Sequence, residues 1–348
     1  MTPYHQYTFQ GTPTENITLH VPAAILDSYK KAEEWSGFKA IVALQSGDPY
    51  YDIIEFACPY TKAICVQNWD TNGDGELSKE EAAAVTDIGL AFYQITNITS
   101  FNEFQYFTGI TSLGDGVMMG CSNLTSITFP ASLTSIGRGA LANCSSLKSI
   151  VIPKGVEEIM FNPFNGCISL EKITVEEGNE VFSSPNGCNA IIKNGWDVMS
   201  GCKNTVIPEG IEYISDGAFQ RITGLTSIQI PASVHYIGTY AFAFCTGLTK
   251  VTMKGATPPT CQNNDAFTNA NTSTQATLYV PSGSKAAYVS AGWNAWFKEI
   301  VELATGITAI ELSPSATDHY YTLDGRRMEG APTKKGLYIV NGRKVVVK

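Results

Sequence analysis

The sequence predicts a mostly β solenoid with short helical turns, a small helical module before it and a small β module after it. Three observations predict this. Residues 113–133 are written again, with small changes, at 136–156, in the frame I-G-x-x-A-F-x-x-C-x-x-L-x-x-I-x-I-P. Frame positions return every 23 residues: Cys121, Cys144 and Cys167, then Leu124, Leu147 and Leu170, then Ile127, Ile150 and Ile173, and later Ile214 and Ile237, Phe219 and Phe242, Leu225 and Leu248, Pro208 and Pro231. Finally, 348 residues are too many for one compact core and suit a stack of units with attached modules.

A period of about 20 to 29 residues with Leu, Ile and Cys at set offsets is the signature of a leucine-rich-repeat solenoid. One unit cannot bury its own apolar edge, so stacked neighbours must build a single core along the axis. Within the frame, Ile127, Thr128 and Phe129 alternate with period two, a short strand with one face inward, and Pro130 closes it. Leu133 to Ile136 is a second short extended piece, and Gly137 suits a corner. Ala140, Leu141 and Cys144 stand at i, i+1 and i+4, as one helical turn would place them. Successive strands are expected to lie parallel, about 4.8 Å apart.

Composition excludes several function classes. The formal net charge is −9, the pI is near 5.0, and the basic residues are scattered, which argues against nucleic acid. No run approaches the length of a transmembrane helix. The first residues show no basic start followed by an apolar run, so no signal peptide is read there. Of nine cysteines, Cys121, Cys144, Cys167 and Cys245 share one repeat position. Ile222 stands at the same offset, and isoleucine replaces cysteine in packing but not in ligation, so the row reads as small buried hydrophobes. Cys58 and Cys65 read as packing residues.

Taken in order, residues 1–45 carry Val21-Pro22, a helix-like stretch from Ala24 to Trp35, and Phe38, Ile41 and Val42. The pattern returns displaced by 259 residues within 276–303, directly after the last repeats, so it reads as a closing unit. The first copy is then expected to close a preceding array whose remainder is truncated. Residues 45–60 read as linker.

Residues 70–81 fit the twelve-residue calcium loop. Asp70, Asn72 and Asp74 offer side-chain oxygens at positions 1, 3 and 5, Glu76 its backbone carbonyl at 7, and Ser78 serves position 9. Gly75 makes the turn at position 6, and Glu81 closes the sphere with two oxygens. Calcium wants six to eight hard oxygens, and this spacing gathers them. An acidic surface turn would need neither Gly75 nor the apolar Leu77. Residues 60–69 and 78–85 are predicted to form the flanking helices. Sensor proteins pair such loops; the single loop points to a structural ion. Residues 88–110, with Phe92, Phe101, Phe104, Tyr106 and Phe107, read as the cap of the solenoid, which occupies 101–303.

After Ile173 the period breaks, and residues 176–205 are inserted. Asn194-Gly195 between short apolar runs signals a hairpin. With a two-residue turn, Ile191 faces Val198 and Cys188 faces Gly201, so a Cys188–Cys202 disulfide would need a bulge. The segment 304–348 ends in a second hairpin signal, Asn341-Gly342, and reads as a small β module.

The repeat text Leu-Thr-Ser-Ile-Gly-x-x-Ala-Phe-x-x-Cys-x-x-Leu, best seen from Ile214 to Leu225 and from Ile237 to Leu248, resembles the BspA-like leucine-rich repeats of surface proteins from Bacteroides and related bacteria. The likeness covers roughly residues 101–303. The text around Cys188 and from Gly201 to Pro208 looks like an insert common in that group. Leu323-Asp324-Gly325-Arg326-Arg327 and the run from Lys335 to Lys348 are similar to C-terminal sorting regions of secreted Bacteroidetes proteins. The resemblance implies export or retention at the outer surface and adhesion to host proteins or other microbes. It carries over no catalytic residues.

The reading that follows is a secreted or surface-exposed, monomeric binding scaffold for an extracellular protein, stiffened by a calcium ion; a glycan-binding module or a structural spacer is the alternative. Thr128, Lys148, Thr174, Gln229, Lys250 and Thr252 are expected to point outward from the repeat strands, with Trp196 exposed on the insert. Sugar platforms present aromatic faces, and none stands out in that row. An enzyme is not expected: His5, His20, His235 and His319 lie at no metal-ligand spacing, and no Gly-x-Ser-x-Gly elbow or phosphate loop occurs.

Overall fold

Two short apolar pulses per repeat give two strands per rung, and the rungs stack into two walls. The architecture is that of a computed structural model describing residues 9, 11–21, 25–44, 52–261, 265–303, 319–330, 332, 336–340 and 343–347. Before the solenoid come β1 (Thr18–Val21), α1 (Leu26–Lys31), β2 (Ala40–Ala43), α2 (Pro59–Trp69) and α3 (Lys79–Ala84). The repeats then lay down β3 (Ser100–Phe101), β4 (Ser112–Leu113), β5 (Ser126–Ile127), β6 (Ser135–Ile136), β7 (Ser149–Ile152), β8 (Glu158–Ile159) and β9 (Lys172–Val175). The insert supplies β10 (Phe182–Ser183), β11 (Ala190–Lys193) and β12 (Asp197–Gly201). After it follow β13 (Tyr213–Ile214), β14 (Ser227–Ile230), β15 (Tyr236–Ile237), β16 (Lys250–Met253) and β17 (Thr260–Cys261). The closing unit holds α4 (Thr272–Gln275), β18 (Thr277–Pro281), α5 (Lys285–Ser290) and β19 (Glu299–Leu303), and the tail β20 (Tyr320–Tyr321), β21 (Gly336–Val340) and β22 (Arg343–Val347).

The repeat strands pair in parallel and in register. On the first wall Ile228, Val251, Leu278 and Ile300 form one inward row across β14, β16, β18 and β19, and all four are buried. On the second wall Val198, Ile214, Ile237 and Cys261 do the same across β12, β13, β15 and β17. Between the walls, Phe219, Phe242 and Phe267 stack along the axis at 5.0 and 5.1 Å with nearly parallel rings. Burying each such side chain contributes about 1.5–3 kcal/mol.

The arc between the walls is not the helical turn the spacing predicts. Its N–H groups alternate between two uses. Met119, Ala142 and Cys144 bond within their own turn, while Gly116, Met118 and Gly120 bond to the carbonyls of Arg138, Ala140 and Ala142 in the next rung. A helix would spend all these donors internally and leave adjacent rungs unlinked. Gly137 owes its place to the same closeness: a Cβ there would lie 2.7 Å from the Gly114 and Leu113 backbone.

The insert wedges the solenoid into two cores. β11 is buried on both faces: Ile191 joins the N-terminal cluster, while Ala190 and Ile192 join the C-terminal one. Its hairpin differs from the predicted one. Lys193 pairs with Asp197, so three residues rather than two make the turn, and a bulge between Ile191 and Ile192 resets the register to Ala190 opposite Gly201. Cys188 and Cys202 are free, buried thiols.

The two closing units share one layout. β1 and β2 pair in parallel, as β18 and β19 do. Leu278, Tyr288, Phe297 and Ile300 are buried against the last rung, whereas the equivalent Leu19, Tyr29, Phe38 and Ile41 remain half-buried. In the tail, β21 and β22 pair antiparallel with Val340 opposite Arg343; Asn341 and Gly342 lie outside the described residues. No described helix is long and apolar enough to cross a membrane.

Candidate functional site

The calcium-type loop joins α2 to α3. Pro59 opens α2 at its first turn, where a missing N–H costs nothing. Ser78 caps α3 in a full capping box with Glu81. Gly73 and Gly75 take positive φ, 73° and 82°, which lets their N–H groups turn inward onto Asp70, at 2.7 Å to Oδ1 and 2.9 Å to Oδ2. Asn72 Oδ1 accepts from Asp74 N–H at 2.8 Å. Glu81 reaches both ends of the loop: Oε1 accepts from Thr71 N–H at 2.8 Å and Oε2 from Ser78 N–H at 2.9 Å. Burial works against the Glu81 charge, but the bonds from Ser78 and Thr71 outweigh it and hold the carboxyl at about 2. The Glu76 side chain is engaged with Lys62 at 2.6 Å, leaving its backbone carbonyl for position 7.

The donor set therefore fits a hard cation: three carboxylates, an amide oxygen, a hydroxyl and a carbonyl. In this structure the oxygens accept loop N–H groups and do not converge; among the described residues no three His, Cys, Asp or Glu side chains meet as metal ligands do. Nor does any ion pair among the described residues neutralise Asp70, Asp74 or Glu81. The stretch read as linker takes part here. Ile53 bridges Ser78, Ile54 N–H bonds the Leu77 carbonyl at 2.9 Å, and Ile54 and Leu77 are both buried.

On the first wall the outward residues form in-register rows, Ser227–Lys250–Thr277–Glu299 and Gln229–Thr252–Tyr279–Val301. Gln229 and Lys250 are exposed, as are Thr128 and Lys148 on earlier rungs, while Thr174 is half-buried. Thr252 departs from expectation. It is only 8% exposed, because its short side chain lies between the longer Gln229 and Tyr279 of its row. Tyr279 is the aromatic that the sequence reading missed, and Lys250 Nζ lies 5.1 Å from its ring centre. Period two alone would have flagged it, had the closing unit been counted as a rung. Beside edge strand β14, a groove of about 540 Å³ runs along Val206, Ile207, Gln229, Lys250 and Thr252.

Trp196 lies on the second wall, apart from the other candidates. It is 40% exposed, with its ring 5.2 Å from that of Tyr213. Sequence reasoning missed its neighbour Asp197, which starts an outward row through Tyr213, Tyr236 and Thr260. The cysteine row is buried, and each thiol donates to a carbonyl of the previous rung: Cys121 to Phe92, Cys144 to Met118, Cys167 to Leu141 and Cys245 to Phe219, at 2.9–3.3 Å. Burial pushes the Cys245 thiol up to about 12, away from the reactive thiolate.

Paired parallel walls, a stacked core and outward polar rows define a leucine-rich-repeat scaffold. Residues 85–189 and 189–288 match the BspA-type leucine-rich-repeat region family, and the chain belongs to that family. No curated protein matches the chain. Among solved structures, it is similar to a leucine-rich cell surface protein from Faecalibacterium prausnitzii A2-165, at 22% identity over 65% of this chain and 68% of that one, TM-score 0.38. It is similar too to a leucine-rich-repeat protein from Eubacterium ventriosum, at 18% identity over 75% and 85% of the two chains, TM-score 0.38. A leucine-rich-repeat protein from Bacteroides ovatus matches at 16% identity over 82% and 69%, TM-score 0.37.

Proposed function

We propose that this chain is a secreted or surface-displayed scaffold that binds an extracellular protein, acts as a monomer and is stiffened by one structural calcium ion. The observation that carries the reading is the set of in-register outward rows on the first wall. Parallel strands about 4.8 Å apart hold those side chains on a rigid, flat surface, which suits a broad polar contact. Membership of the BspA-type family supports display at the cell surface and a role in binding rather than catalysis. The ion would be held by Asp70, Asn72, Asp74, the Glu76 carbonyl, Ser78 and Glu81, tying α2 to α3 beneath the solenoid cap. At an affinity of about 10 µM in about 1 mM calcium, it would stabilise the fold by roughly 2.7 kcal/mol.

Surface plasmon resonance against immobilised extracellular-matrix proteins and a glycan panel tests the binding role. Saturable binding to a protein, weakened at least tenfold by Lys250→Glu, is expected. Tyr279, stacked under Lys250, favours the second reading, and binding to glycans alone would establish it. Binding to neither class would leave a spacer. The ion is tested by thermal unfolding with millimolar calcium and with excess chelator. The melting temperature should rise with calcium in the wild type and not in Glu81→Ala; no rise in the wild type would remove the ion from the account.

A further inference from the structure

The second wall is interrupted where the insert enters. Strands β4, β6 and β8 form one sheet, and the sheet that continues from β10 to β17 does not pair with it. The seam leaves a cleft of about 380 Å³ lined by Met160, Phe161, Asp197, Tyr213, Ser215 and Tyr236, among others. Its chemistry is one-sided. Asp197 and Asp216 both border it, and no Lys, Arg or His does among the described residues. Asn162 donates one amide N–H to Gln220 Oε1 at 2.7 Å.

Asp197 is half-buried, and its only hydrogen-bond donor among the described residues is the Ser215 hydroxyl, 2.8 Å from Oδ1 and 2.9 Å from Oδ2. One hydroxyl proton serves one oxygen at a time, so the carboxylate keeps acceptor capacity for a ligand. Lys193 faces it across the hairpin but makes no ion pair with it. Burial raises the Asp197 pKa and the Asp216 charge adds to it, while Ser215 and the Lys193 charge lower it; the net rise is a cost of ionisation that a bound cation would offset. Tyr213 and Tyr236 stand in register beside it, with ring centres 5.5 Å apart, and Met160 and Phe161 are 43% and 46% exposed at the rim. Two carboxylates and two ring faces, with no cationic side chain in the lining, match the needs of an ammonium or guanidinium. The chain already sets cations over rings elsewhere, Arg221 over Phe244 at 5.2 Å and Lys250 over Tyr279.

We propose that this seam cleft receives a lysine or arginine side chain of a protein partner, with Asp197 as counter-ion, Tyr213 and Tyr236 as ring walls, and Met160 and Phe161 against the alkyl stem. The assignment rests on the scaffold reading above and names the chemistry of its partner.

The probe is the capped pentapeptide acetyl-Gly-Gly-Lys-Gly-Gly-amide, titrated while the indole N–H resonance of Trp196 is followed. A saturable shift is expected. The same peptide with an acetylated lysine should bind at least tenfold more weakly, and Asp197→Asn should weaken the lysine peptide at least tenfold without lowering the melting temperature. Tyr236→Leu, which keeps the carboxylate, should weaken it several-fold. Equal binding of both peptides, unchanged affinity in Asp197→Asn, or a shift with maltotetraose alone would overturn the proposal. No shift in a protein that still binds a matrix protein would overturn the cleft and leave the scaffold reading intact. Peptide binding in a protein that binds no matrix protein would support the cleft and remove the first-wall contact.

Discussion

Asp197 is held against its own ionisation, and that makes it testable apart from any partner. Its folded pKa is raised above the unfolded value of about 3.9 by burial and by the nearby Asp216 charge, the Ser215 bonds and the Lys193 charge working the other way. For an acid, a raised folded pKa means stability that is fully present below the unfolded value and lost as the pH rises through the folded one. Asp197→Asn is therefore expected to melt above the wild type at pH 7, and the gap should close as the pH is brought below the carboxylate range. Thermal scans at stepped pH check this. Gly137→Ala should act oppositely, destabilising by about 1–3 kcal/mol in urea titrations, because its Cβ meets the backbone of the rung below. The sequence marks Gly137 as a corner but cannot say that a neighbouring strand crowds it. With a two-residue turn Asp197 would face Ile192; the three-residue loop sets it opposite Lys193, and pairing with β13 brings it beside Tyr213.

At the scale of elements, the loop between α2 and α3 owes part of its order to capping, with or without an ion. Ser78 Oγ accepts the Glu81 N–H at 3.1 Å while Glu81 reaches back to Ser78. Ser78→Ala should cost about 1 kcal/mol even in excess chelator, measured by urea titration. This separates the cap from the metal, since the calcium-dependent shift should survive in part when only one oxygen of the set is lost. Every position of the calcium-type motif could be assigned from spacing alone, because the motif defines each by its offset from Asp70. The bridge from Ile53 to Ser78 could not: two isoleucines among Asp, Pro and Tyr carry no period. Likewise the Ala-Phe-x-x-Cys arc has helical spacing in one dimension, and only stacking redirects its N–H groups to the next rung.

At the scale of the whole molecule, the two cores meet at β11, whose alternate side chains belong to different halves. Ile191→Ala should cost about 2–5 kcal/mol in the N-terminal half and Ile192→Ala a similar amount in the C-terminal half. Calorimetry should show each variant splitting the unfolding transition, with a different half melting first. The sequence by itself determined the solenoid, its 23-residue period, the parallel strands and the break after Ile173. These are one-dimensional properties: a repeat that buries its edge only against a copy of itself must recur at fixed spacing. What the tertiary structure alone decided is which outward residues become neighbours. Gln229, Thr252 and Tyr279 are joined in one row, and Asp197, Tyr213 and Tyr236 in another. Their adjacency depends on strand register, and a single bulge within the insert is enough to change it there.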